Sequence, residues 1–132
     1  MTLRIEATYT GEITVTASYE GEVYDRNQVI ENAFDETMRE LIKLDRVMDP
    51  HVTGSIEGGG LEITIVVEGE NVPEIVTYVD GAIRSALHTA GVGTHGWSTE
   101  RNLLFADFNR IELDDANAEA TANEADRELV GL

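Results

Sequence analysis

An α+β fold is what this sequence predicts, and three observations carry the prediction. Apolar residues alternate with polar ones at period two in several stretches, they recur at helical spacing in two others, and these segments follow in the order strand, helix, hairpin, helix, strand. That order is the βαββαβ arrangement of a ferredoxin-like sandwich, an antiparallel sheet carrying two helices on one face. The expected architecture is therefore a ferredoxin-like α+β sandwich with an additional N-terminal hairpin strand. It occupies residues 1–113 as a single domain and is followed by an acidic, partly disordered or helical C-terminal tail over residues 114–132.

In the first stretch the odd positions Leu3, Ile5, Ala7 and Tyr9 are apolar, and Ile13, Val15, Ala17 and Tyr19 continue the alternation beyond Gly11. A loop at Thr10-Gly11-Glu12 pairs Tyr9 with Ile13 and Ala7 with Val15, which keeps both apolar sets on one face. One long strand with a glycine bulge is the alternative. The hairpin is preferred because strands longer than about ten residues are uncommon. Asp25 then caps a helix with Gln28 at capping-box spacing, and Ile30, Ala33, Phe34, Met38, Leu41, Ile42 and Met48 trace its apolar face. This helix is expected to end before Asp49-Pro50.

Gly58-Gly59-Gly60 separates two further alternating runs, and a two-residue Gly59-Gly60 turn pairs Ile56 with Ile63, Gly54 with Ile65 and Val52 with Val67. Asn71-Val72-Pro73-Glu74 supplies an N-cap, an early proline and an acid at the third helical position. The second helix carries Ile75, Val76, Val79, Ile83, Ala86, Leu87 and Ala90, and Gly91 is its natural stop. Leu103 to Phe108, with Ile111 and Leu113, reads as the final strand.

Charge is what narrows function most. The 132 residues hold 26 Asp and Glu against 9 Lys and Arg, a formal net charge of −17. Residues 112–132 hold 7 acids and 1 base, and residues 1–111 hold 19 acids and 8 bases, so the body itself carries −11. Such a surface repels phosphate backbones and anionic headgroups, which argues against direct nucleic-acid binding and membrane attachment. The absence of Cys removes disulfides and thiolate chemistry. Residues 1–6 lack the features of a signal peptide, and no apolar run approaches the roughly 20 residues of a membrane span, so a cytoplasmic protein is expected.

No catalytic, cofactor or metal motif stands out. His51 lies near Asp45 and Asp49, but no His-x-His or HExxH spacing supports a metal. His88 falls in the last turn of the second helix, where a cation suits the helix dipole. The segment Gly91-Val92-Gly93-Thr94-His95-Gly96-Trp97 is the best candidate site, because it joins the only Trp, an imidazole and three glycines. Its plainer reading is a glycine-rich reversal whose Trp covers one end of the sheet.

Gly54-Ser55, the run from Ala82 to Gly91, and Thr94-His95-Gly96-Trp97 together resemble a family of small proteins of unassigned function from actinobacteria and their phages. In that family the loop more often reads Thr-Pro-Gly-Trp. His95 here stands at the proline position, which speaks against a catalytic role for it, while His88, Gly96 and Trp97 look like shared structural positions. The resemblance implies an origin in actinobacteria or their phages, allows a phage- or mobile-element-encoded protein, and brings no activity with it. The function expected is a non-enzymatic protein-interaction domain that pairs with itself, a dimer being favoured, or with a protein partner, and needs no cofactor. One alternative is an acidic nucleic-acid mimic that inhibits a DNA-binding protein. The other is a small-molecule binder or enzyme centred on residues 91–97, with His88, His95, Gly96 and Trp97 as contact residues.

Overall fold

The computed structural model describes residues 2–15, 26–96 and 104–116. It is an α+β structure: β1 (Leu3–Val15), α1 (Arg26–Ile42), β2 (Val47–Ser55), β3 (Gly60–Gly69), α2 (Val72–Thr89), β4 (Val92–Gly93) and β5 (Leu104–Asp115). The strands form one mixed sheet in the order β2-β3-β1-β5-β4, in which only the short β4–β5 contact is parallel. Ile5, Ala7, Tyr9 and Ile13 of β1 and Leu61, Ile63, Ile65 and Val67 of β3 form one core with Ile30, Ala33 and Leu41 of α1 and Ile75, Val79, Ile83 and Leu87 of α2. Both helices therefore bury their apolar stripes on the same face of the sheet. The opposite face carries Glu6, Thr8, Glu12, Glu62, Thr64 and Glu68 and, among the described residues, is bare of helices.

The N-terminal hairpin is not formed. β1 runs straight through Gly11, pairing with β3 from Leu3↔Gly69 to Glu12↔Gly60 without a shift. Gly11 serves close approach, not reversal: a Cβ there would lie 2.0 Å from the carbonyl oxygen of Asp107 on β5. Beside it the β1–β5 register shifts, with Thr10 opposite Arg110 and Gly11 opposite Phe108, so that Asn109 is an extra residue on β5. One long strand was thus the correct alternative, but the bulge expected at the glycine lies instead at Asn109 on the neighbouring strand. Ala17 and Tyr19 lie outside the described residues.

Two boundaries also differ from expectation. α1 ends at Ile42, which is 61% exposed, and Val47 already enters the sheet as a buried residue, so Met48 and Asp49-Pro50 belong to β2. The turn between them is closed by Leu44 N–H to Leu41 O and Val47 N–H to Leu44 O, both 3.1 Å. Pro50 is tolerated because β2 is an edge strand that slips register between Met48 and His51. In the β2–β3 hairpin the loop has four residues, not two. Val52 faces Ile63, Gly54 faces Leu61 and Ser55 faces Gly60. Ser55 holds this wider loop by accepting from Gly59 N–H through its carbonyl at 2.7 Å and from Gly58 N–H through its Oγ at 2.9 Å. Gly59, at φ +80°, then accepts from Ile13 N–H at 2.7 Å, an anchor on β1 that the local sequence does not announce. The slip from the expected pairing is an even number of residues, so Val52 and Ile63 keep the core face.

α2 matches its capping signals. Asn71 Oδ1 accepts from Glu74 N–H at 2.9 Å, a proline lies in the first turn, and Gly91 at φ +86° follows the last one. β5 runs on through Asp114 and Asp115. No helix among the described residues is long and apolar enough to cross a membrane.

Candidate functional site at the edge of the sheet

Beyond Gly93 the parallel ladder to β5 ends and the chain turns at Gly96, which adopts φ +81°. The segment is tied down by a chain of polar contacts across α2, β1 and β5. Tyr9 Oη donates to Asp80 Oδ1 at 3.1 Å, Arg84 Nε lies 3.2 Å from Asp80 Oδ2, and Arg84 Nη1 donates to the carbonyl of His95 at 2.6 Å. On the other side of the strand, His95 Nε2 lies 3.1 Å from Asp107 Oδ1 and the imidazole packs edge-on to Phe105, with ring centroids 5.2 Å apart. His95 thus wraps the sheet edge, its carbonyl on the helix side and its ring on the bare side.

These groups border a hollow of about 100 Å³ lined by Tyr9, Asp80, Arg84, Thr94, His95, Ala106, Phe108 and Ile111. Burial, reinforced by the Asp80 carboxylate, pushes the Tyr9 phenol well above its ordinary range, so it remains a donor. Thr94 is 3% exposed and its hydroxyl has no hydrogen-bond partner among the described residues. Asp80 already accepts from two donors, and Tyr9 packs edge-on to Phe108. Chemically the cluster is a positioning device: it holds the turn after β4 against α2 and leaves the rest of β5 open.

Of the four residues expected at the site, His95 and Gly96 form this turn. His88 is exposed in the last turn of α2 and does not line the hollow, and Trp97 lies outside the described residues. Among the described residues no cluster of three or more His, Cys, Asp or Glu is arranged to hold a metal ion. Sequence reading missed Tyr9, Asp80, Arg84 and Asp107, and held Thr94 only as a member of the 91–97 segment. Asp80 and Arg84 could have been found, because an acid four residues before a base is a helix-surface pair. Tyr9 was read only as a core position.

The second half of the site is the strand itself. From Phe108 to Asp115, β5 pairs with β1 on one side and with no strand on the other among the described residues. Ile111 and Leu113 point to the helix side of this stretch and remain 53% and 42% exposed. No protein-family model matches the chain, and no curated protein is detectably similar to it in sequence.

Proposed function

We propose that this chain is a non-enzymatic protein-interaction domain, a ferredoxin-like βαββαβ core that binds another protein by strand addition along the open side of β5. One observation supports this reading above the rest: among the described residues, the stretch from Phe108 to Asp114 has no strand on its outer side and offers its backbone edge beside two exposed large apolar residues. The polar cluster around His95 fits the same reading, since it turns the chain where the ladder of β4 to β5 would otherwise continue. A phage or mobile-element origin would make a host protein one candidate partner. Amide hydrogen exchange and light scattering test the reading together. The outward N–H groups of residues 108–114 should exchange fast in dilute chain and slow down on complex formation. A chain that elutes as a monomer at low and high salt, with β5 exchange independent of concentration and of added host protein, defeats it.

A second reading, nucleic-acid mimicry toward a basic groove, is favoured by the bare face of the sheet. Glu6 stands directly opposite Asp114 and Glu12 directly opposite Asp107. Like charges placed face to face cost stability, and a cationic partner would relieve that cost. Salt separates the two readings: binding through this face falls steeply as ionic strength rises, and apolar pairing at the edge does not.

A further inference from the structure

The two long edges of the sheet are finished differently. β2 is blunted: Pro50 has no N–H to offer, Asp49 adopts φ +51°, and the ladder slips between Met48 and His51. β5 has no proline from Phe108 to Asp115, and two of its helix-side residues there, Ile111 and Leu113, are apolar and exposed. Its charged residues Arg110, Glu112 and Asp114 stand on the bare face, where they flank the backbone edge without obstructing it.

The order of those charges selects an occupant. In an antiparallel pair of identical strands, facing residues share a side of the sheet, so the two-fold axis passes through a residue. An axis at Arg110, at Glu112 or at Asp114 places that residue opposite its own copy, a like-charge pair. An axis at Leu113 places Glu112 opposite Asp114 twice. An axis at Glu112 also sets Arg110 against Asp114 at two places, but around a Glu112–Glu112 pair. An axis at Ile111 is the one that brings opposite charges together with no like-charge pair among these residues, setting Arg110 against Glu112 at two symmetric places with Ile111 against Ile111 between them. Arg110 and Glu112 already form an ion pair within one chain, so both side chains lie on the face the pairing needs. The next opposed acids, Asp107 and Asp115, project from opposite faces of the sheet, because Asn109 is inserted between them.

We propose that two copies of this chain join through β5, antiparallel about a two-fold axis at Ile111, over the five residues Asn109–Leu113, so that one sheet continues across the dimer. The proposal rests on the interaction reading above and names the partner as a second copy. Its test is light scattering behind size exclusion on the full chain, on Arg110→Glu, on Glu112→Arg, and on an equimolar mixture of the two variants. The parent chain should elute as a dimer. Each substitution alone sets like charges opposite at both places and should weaken the dimer at least tenfold, while the mixture regains two opposite-charge pairs and re-forms it. That recovery also shows that both variants fold. A parent dimer that survives either substitution, or a mixture that does not recover, overturns this pairing and leaves the interaction reading standing. A parent chain that is monomeric at every concentration and salt overturns the pairing, and the exchange experiment then decides the broader reading.

Discussion

Tyr9 shows how one side chain serves both packing and polarity. Its ring lies in the core while its hydroxyl reaches Asp80, and both burial and the neighbouring carboxylate favour the neutral phenol. A phenol whose folded pKa stands above its unfolded value of about 10 contributes stability that is fully present below that pH. The contribution is lost as pH rises beyond it, because the unfolded chain releases the proton that the folded chain retains. Tyr9→Phe should therefore cost about 1 kcal/mol at neutral pH, the ordinary net value of such a hydrogen bond. It should also flatten the fall in stability above pH 10. Urea unfolding of both proteins between pH 7 and 11 measures this, and an unchanged alkaline slope in the variant would show that Tyr9 does not carry it.

Among the elements, β1 carries the clearest lesson about legibility. Its alternation was plain from Leu3 to Val15, and so was the choice of core face, because side chains alternate whatever the partners are. Whether the chain turns or continues at Gly11 depends on strands 50 and 100 residues away, which alternation cannot report. The same holds at the β2–β3 turn: Gly58-Gly59-Gly60 announced a reversal, while the hydrogen bond from Ile13 N–H to Gly59 O helps hold its width. α2 was legible to its ends, since Asn71, Pro73 and Gly91 act on their own helix. At the site, His95 and Gly96 were legible as a turn, but Tyr9 and Asp107 reach it only through the sheet. Gly11 gives the test of this view. A methyl group there meets the backbone of Asp107 and Phe108, so Gly11→Ala should cost about 3 kcal/mol, at the upper end for overpacking, by separating β1 from β5. In a hairpin turn the same change would cost far less. Equilibrium unfolding of the variant, with hydrogen exchange localised to β5, distinguishes the two.

For the whole molecule the governing quantity is the imbalance of 26 acids against 9 bases. Several bases are already engaged in ion pairs, as Arg4 with Glu68, Arg46 with Glu74, Arg84 with Asp80 and Arg110 with Glu112. These pairs are partly exposed, so solvent screens them and each contributes little. Against them stand the surplus carboxylates, including the directly opposed Glu6 and Asp114 and the directly opposed Glu12 and Asp107. Repulsion among the surplus acids acts over tens of ångströms at low salt and over about 8 Å at physiological ionic strength, whereas contacts at hydrogen-bond distance are screened less. Added salt should therefore stabilise the fold. We expect the thermal midpoint to rise between about 10 mM and about 150 mM sodium chloride, the interval in which the Debye length shrinks from about 30 Å to about 8 Å. Association also stabilises the folded chain by mass action, so the measurement belongs on the Arg110→Glu variant, which removes the proposed pairing and deepens the charge imbalance. A midpoint that falls with salt would mean that the few ion pairs outweigh the surplus, and that the carboxylates on the bare sheet face are far enough apart to be tolerated without a partner.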